Sequence, residues 1–280
     1  MVRVAGFISA IAVAAVTLTQ GAVAADLPLK ARRAPVAIPV GWTGYYIGGN
    51  IGYGWGDTPT DTTGVSVIGS SPLTPGSTDL HAKGWFSGLQ SGYNWQVDPN
   101  WVIGFESDFQ YSNIKGNTAC LVTCGTSLPP LFLTSYNGFS VSDRLNWFGT
   151  VRGRVGYATG PALIYATGGL AYGEVERVAN LVGNLNFGPG NTFVGSFDNK
   201  STKTGWTAGG GVETKLSGAW SAWTAKLEYL YVDLGNVSDV LPLTYITRPF
   251  PGATRYVTTD VHENIVRFGM NYQFGPKGPF

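Results

Sequence analysis

The sequence predicts an all-β chain, a single eight-stranded antiparallel transmembrane β-barrel with short periplasmic turns and four long extracellular loops. Three observations predict it. Runs with an apolar residue at every second position recur eight times, most clearly in Val266–Arg267–Phe268–Gly269–Met270–Asn271–Tyr272–Gln273–Phe274. These runs follow an apolar leader. Trp and Tyr gather at their ends. A lipid face that is apolar, a lumen face that is polar and aromatics at both borders are what a barrel in a bilayer requires.

Residues 1–24 read as a signal peptide. Arg3 supplies a positive start, Phe7 to Leu18 an apolar stretch, and Ala22–Val23–Ala24 a small-x-small cleavage pattern. That stretch is shorter than the roughly 20 residues a spanning helix needs. Gly, Asn, Thr or a charge interrupts every later apolar stretch, so a mature chain in a membrane must close as a barrel. Of 18 basic residues the leader holds Arg3, which leaves 17 against 17 acidic ones. A neutral chain carries no argument for nucleic acid as a partner.

Residues 25–41 form a Pro- and Ala-rich lead-in with Lys30, Arg32 and Arg33, expected to be extended and periplasmic. The barrel is expected over 42–274, with a short tail at 275–280. Its strands are predicted at about 44–56, 83–95, 101–113, 146–158, 162–175, 204–216, 222–234 and 262–274. Val97–Asp98–Pro99–Asn100, Thr159–Gly160–Pro161 and Ser217–Gly218–Ala219 are turn-forming. The alternate connections, near 57–82, 114–145, 176–203 and 235–261, are long and rich in Gly, Ser, Thr, Asn and Pro, and are predicted as loops.

A soluble sandwich or lipocalin-like barrel would turn its apolar residues inward and leave a polar outer face. Here the third strand sets Ile103, Phe105, Phe109 and Tyr111 against Glu106, Asp108 and Gln110. The seventh sets Leu227, Tyr229 and Tyr231 against Lys226 and Glu228. One face is too apolar for water and the other too polar for a dry core. Trp42, Tyr45, Trp95, Trp101, Tyr157, Trp220 and Trp223 are assigned to a periplasmic girdle. Trp55, Trp85, Tyr111, Trp147 and Tyr172 are assigned to an outer one. Gly, at 40 residues, suits a narrow barrel in which inward side chains share little room.

The inward charges are Glu106, Asp108, Glu213 and Glu228 against Arg152, Arg154, Lys215, Lys226 and Arg267. The interior of an eight-stranded barrel is just wide enough for side chains to fill. Near-balanced charges there read as a salt-bridge plug. Conduction through the lumen, with the same charges setting selectivity, is the other reading.

Cys120 and Cys124 are the two cysteines, and in an oxidising envelope they are expected to close a short disulfide that pins a loop tip. His81 and His262 are the two histidines, each with an Asp two residues before it, Asp79 and Asp260. They fall at the outer ends of strands that flank the first strand. Solvated loop-base histidines are the plain reading, and a rim site for a metal or haem iron the sharper one. The clusters Gly48–Gly49, Gly168–Gly169 and Gly209–Gly210–Gly211 lie inside strands and open no helix, so they lack the context of a phosphate cradle.

Longer runs carry a family resemblance. Ala25–Asp26–Leu27–Pro28, Trp42–Thr43–Gly44–Tyr45–Tyr46–Ile47–Gly48–Gly49–Asn50, Gly92–Tyr93–Asn94–Trp95–Gln96, Trp147–Phe148–Gly149–Thr150–Val151–Arg152–Gly153–Arg154–Val155–Gly156 and Leu227–Glu228–Tyr229–Leu230–Tyr231–Val232–Asp233–Leu234–Gly235 stand in this order. Together they resemble the eight-stranded outer-membrane β-barrels of Gram-negative bacteria, of the OmpA-transmembrane and opacity type, and most closely the RopB-like surface porins of alpha-proteobacteria. The resemblance spans the mature chain.

It implies export to the outer membrane, a structural or surface-contact role, and as partners outer-membrane lipids, lipopolysaccharide, the barrel-assembly machinery and an extracellular or host surface met through the loops. Apolar loop residues such as Leu131 and Phe132 are candidates for that contact. Some relatives are described as porins and some as haemin binders. The resemblance brings no catalytic residue, and neither an enzyme activity nor a resident cofactor is expected. Barrels of this kind end on an aromatic that the assembly machinery reads. Here Tyr272 and Phe274 end the last strand, yet Gly275–Pro276–Lys277–Gly278–Pro279–Phe280 follows, so Phe274 and Phe280 compete for that role.

Overall fold

Alternation of apolar and polar residues lets a strand pair on both edges while its two faces meet different media. The computed structural model describes residues 41–65, 72–120, 134–185, 192–245 and 253–274. Eight strands are formed among them: β1 (Gly44–Val65), β2 (Pro72–Gln96), β3 (Trp101–Cys120), β4 (Thr134–Thr159), β5 (Ala162–Leu185), β6 (Thr192–Lys215), β7 (Trp223–Tyr245) and β8 (Ala253–Phe274). Each pairs antiparallel with the next, and β1 pairs with β8 from Tyr45↔Phe274 to Trp55↔Asn264 and again beyond Thr60↔Thr259, closing the barrel. The predicted leader and lead-in through residue 40, Cys124, Leu131, Phe132 and the tail with Phe280 lie outside the described residues.

One rim carries the tight turns. Asn100 donates its backbone N–H to Asp98 between β2 and β3, Gly160 holds φ 61° between β4 and β5, and a 3-10 turn at Gly218–Trp220 joins β6 to β7. Short turns mark the periplasmic rim of such barrels.

The strands are longer than the sequence predicts. They run to 20–26 residues, where about 9–11 suffice to cross a bilayer. The segments assigned to loops near 57–82, 114–145, 176–203 and 235–261 are in large part paired strand, as in Asp143↔Arg177 and Val237↔Thr259. Their Gly, Asn, Ser and Pro content reads locally as loop, but neighbouring strands satisfy each other's backbone groups, and that pairing is non-local.

The face logic also changes with height. Across the membrane band Ile47, Ile51, Leu89, Phe105, Val151, Leu170, Leu227 and Phe268 point outward and are exposed. Further out, the outward positions turn polar, as with Lys83, Asn117, Arg144 and Asn236, while Ala82, Ile114, Leu145, Val175 and Val261 turn inward and are buried. The outer half is therefore largely apolar inside and polar outside, as a soluble barrel is, with a buried ion cluster among the apolar residues.

Aromatics border the band at both levels. Trp101 packs on Tyr157, and Trp223 on Tyr272, with centroids 5.5 and 5.4 Å apart, at the turn end. Tyr53 packs on Trp85, Trp147 on Tyr172, and Trp206 on Tyr231 at the other end, at 5.2, 6.2 and 5.4 Å. Trp42 departs from its predicted girdle place. Gly44, at φ 146°, turns the chain under the barrel, and Trp42 lies 1% exposed beneath the lumen beside Val102, Ala158, Leu163 and Tyr165.

Candidate functional site in the lumen and at the outer rim

Four barriers stack in the lumen. The first, at the turn end, is the Trp42 floor. Its backbone N–H donates to Gln96 Oε1 at 2.9 Å, and Gln273 Nε2 donates to its carbonyl at 3.0 Å.

Above it lies the charge network. Inward positions of β3, β4, β6, β7 and β8 deliver Glu106, Asp108, Arg152, Arg154, Glu213, Lys226, Glu228 and Arg267 to one layer, all buried. Glu106 is its hub. It accepts from Arg152 Nη2 at 2.5 Å, from Lys226 Nζ at 2.7 Å to both oxygens, from Arg267 Nη2 at 3.0 Å and from the Tyr46 hydroxyl at 2.8 Å. Arg152 also reaches Asp108 and Glu228 at 3.0 and 3.1 Å, and Arg267 reaches the same two carboxylates at 3.0 and 2.6 Å. Arg154 pairs with Glu213 at 2.6 Å and lies over the Tyr165 ring, 4.1 Å from its centroid. Thr150 also donates to Asp108, Tyr165 to Glu228, and Thr224 and Asn271 to Glu213; Asp108 Oδ1 and Arg154 Nε are buried without a partner among the described residues.

Room for these long side chains comes from inward glycines. A Cβ on Gly211 would lie 2.8 Å from the Tyr165 hydroxyl oxygen and 2.5 Å from the Leu227 carbonyl oxygen, so a larger residue there displaces Tyr165 from Glu228.

Lys215, assigned to this network from the sequence, is not in it. It shares the inward face of β6 but sits at the turn-end mouth, where its Nζ donates to the Gly41 carbonyl and lies 5.2 Å from the Trp42 ring centroid. Alternation specifies its side of the sheet and not its height. Without it four carboxylates face four cations, an exact balance in a space where an unpaired charge is costly.

The third barrier is an apolar layer that sequence reading missed. Phe86 and Phe148 meet edge to face at 5.3 Å, among Ile114, Leu145, Ala171, Val175, Leu230 and Ile265. The fourth is a second ion cluster. Arg177 donates to both oxygens of Asp143 at 2.8 and 3.2 Å and to Asp239 at 3.0 Å, and Asn199 donates to Asp239 at 2.6 Å. All four residues lay in segments read as loops. Carrying the inward period of β5 onward through Val175, Arg177 and Ala179 would have exposed this cluster. A cavity of about 20 Å³ lies between these upper layers, lined by Ala82, Ile114, Asp143, Leu145, Val175, Val261 and Glu263 among others. That is space for about one water.

Arg177 has a further task. β6 and β7 pair from Trp206↔Asp233 down to Lys215↔Thr224 and again at Val194↔Thr244 and Phe193↔Tyr245, with no ladder between these stretches among the described residues. Gly235 at φ 72° bulges β7 there, and Arg177 Nη1 donates across to the Val237 carbonyl at 3.2 Å. Arg177→Met should therefore speed amide exchange in β7 over 234–243, by roughly tenfold to a hundredfold for the loss of charge-assisted bonds of about 1.5–3 kcal/mol. Peptide-resolved hydrogen exchange measures it, and unchanged protection would refute the brace.

The two histidines stand on the strands that flank β1. His81 is exposed on β2, opposite Asp57 of β1, while His262 lies on β8 with its ring stacked 6.1 Å from Tyr231. β1 lies between them, so their backbones stand two strand spacings apart, on the order of 10 Å. Among the described residues no group of three or more His, Cys, Asp or Glu is arranged to hold a metal. Tyr272 and Phe274 join the turn-end girdle, 4.8 Å apart, with Phe274 also 5.8 Å from Tyr45. Cys120 ends β3, and its predicted bond to Cys124 falls outside the described residues.

Known proteins resemble this chain in sequence. The chain is 37% identical over 259 residues to the 31 kDa outer-membrane immunogenic protein of Brucella melitensis, covering 90% of this chain and 93% of that one. It is 29% identical to the 22 kDa outer membrane protein of Rhizobium leguminosarum bv. viciae, over 87% and 83% of the two chains. Among solved structures, OprG of Pseudomonas aeruginosa overlaps 85% of this chain and 99% of its own, at 11% identity and a TM-score of 0.42, too remote to bear on function. The family described as the outer membrane protein beta-barrel domain matches residues 10–274. With a closed eight-stranded barrel, an apolar belt and a charged lumen already evident, the chain belongs to that outer-membrane β-barrel family.

Proposed function

We propose that this protein is a closed, non-conducting barrel that anchors extracellular hairpins in the outer membrane and acts through them, as a structural and surface-contact protein. One observation carries the reading. The Trp42 floor, the balanced charge network, the Phe86–Phe148 layer and the Arg177 cluster block the lumen in series. An ion in transit would have to separate buried ion pairs and then cross an apolar layer with no polar partner, and both steps are costly.

A barrel that passes nothing still needs a reason for strands about twice as long as the bilayer requires. The paired outer halves supply one, since they carry the described strands well clear of the lipid. Surface-displayed hairpins fit the names of the Brucella relatives, which are called outer-membrane immunogenic proteins. A non-enzymatic role is in keeping with those names.

Single-channel recording on the refolded mature chain in a planar bilayer tests this, with folding checked by heat-modifiable gel mobility. The expected trace is silent. Discrete, reproducible openings from folded protein would overturn the closed-lumen reading in favour of a narrow porin.

A further inference from the structure

Just outside the outer aromatic border, strand register builds an arrangement that nothing in the closed-lumen reading uses. Lys83 of β2 stands opposite Lys115 of β3, and Lys115 stands opposite Arg144 of β4. The row continues through Arg144↔Glu176 and Glu176↔Lys200. Five neighbouring strands therefore present four cations and one carboxylate in one cross-strand row, which climbs outward by about 3 Å per strand because the strands tilt. Lys83, Lys115, Arg144 and Lys200 all project from the outer surface and are exposed.

The row is unbalanced from within. Glu176 is shared by Arg144 and by Lys200, whose Nζ lies 3.5 Å away. Among the described residues no carboxylate lies within ion-pair distance of Lys83 or Lys115. Like charges directly opposite on adjacent strands, with Cβ atoms about 5 Å apart, repel and destabilise the sheet. Lys115 has such a neighbour on both sides. The opposite wall is different in kind, since β7 and β8 carry Asp233, Asn236, Asp260 and His262 at comparable height. Among the described side chains, the exposed cations at this border thus stand on one side of the barrel.

The level decides the ligand. Trp85, Tyr111 and Trp147 end the apolar belt on these same three strands, and the cations lie two to four residues beyond them. At about 3.3 Å per residue and a tilt near 40°, that is on the order of 5–10 Å outside the hydrocarbon, the depth of the headgroups. We propose that Lys83, Lys115 and Arg144 form a binding site for the phosphorylated sugar headgroup of the outer-leaflet glycolipid, whose acyl chains lie along the apolar belt below. The anion supplies the countercharge that the row lacks, and Trp85, Tyr111 and Trp147 meet the lipid beneath it. Amphipathic aromatics below cations suit a ligand that is apolar at one end and anionic at the other. This site is independent of whether the lumen conducts.

Binding of bisphosphorylated lipid A to the refolded mature barrel, followed by native mass spectrometry from detergent, tests the site. Wild type is expected to retain the lipid and to prefer it clearly over its dephosphorylated form. Lys83→Gln/Lys115→Gln/Arg144→Gln should bind about 100-fold more weakly, at roughly fivefold per cation near an anionic lipid surface. Lys115→Gln alone, at the centre of the row, should lose about fivefold and serves should the triple variant fail to fold. Lys83→Arg/Lys115→Arg should retain wild-type binding. Unchanged binding by the glutamine variants, or equal retention of the dephosphorylated lipid, would overturn the proposal. Competition by inorganic phosphate at the same concentrations as the lipid would also overturn it, leaving a simple anion site.

Discussion

Glu106→Gln is expected to destabilise the barrel by about 3–5 kcal/mol, the scale for removing one partner from a buried ion cluster. Glu106 joins Arg152, Lys226, Arg267 and Tyr46, so its neutralisation leaves four cations facing three carboxylates in a space closed to water. Lys226 loses most, because both of its hydrogen bonds end on Glu106. The measurement is the urea midpoint for unfolding from detergent or vesicles, read by tryptophan fluorescence and by gel mobility. Lys226→Met in the same chain should recover much of the loss. It restores the balance at three against three and fills the space with an unbranched apolar side chain. A double variant no more stable than Glu106→Gln alone would mean that the cluster is not governed by charge balance, and that water reaches it.

Phe148→Ala should cost about 3–5 kcal/mol, as expected for a large aromatic removed from a well-packed layer. Phe148 is buried against Phe86 and sits directly above the charge network. Its removal should nevertheless leave the planar bilayer silent. The Trp42 floor and the ion cluster around Glu106 lie in series below it, and the Arg177 cluster lies in series above. Current from folded Phe148→Ala protein would mean that the apolar layer alone was holding the lumen shut, with the ion pairs yielding to passing ions. The combined outcome, a large stability loss without conductance, separates a solid interior from a gated pore.

Much of this architecture is legible in one dimension because β-structure in a bilayer has a strict period of two. In β3, Phe105 and Phe109 against Glu106 and Asp108 specify which face meets lipid and which meets the lumen, and no tertiary information is needed. The same alternation, with turn-forming residues at 97–100 and 159–161, yields eight strands and one short-turn rim. The lumen residues Glu106, Asp108, Arg152, Arg154, Glu213, Lys226, Glu228 and Arg267 follow from the period as well.

Height, reach and pairing depend on register, which a single strand does not contain. Lys215 lies on the predicted face yet at the wrong level, beneath the Trp42 ring. Trp42 looks like a girdle residue until Gly44 turns it under the barrel. The outer halves of the strands look like loops because Ser, Gly and Asn are weak strand signals alone, and only the neighbouring strands supply their backbone partners. The row Lys83–Lys115–Arg144 brings together residues from three strands, and no local pattern could have found it. The period of the chain thus determined sides, while closure of the barrel, which sets every strand's offset against its neighbours, decided who meets whom.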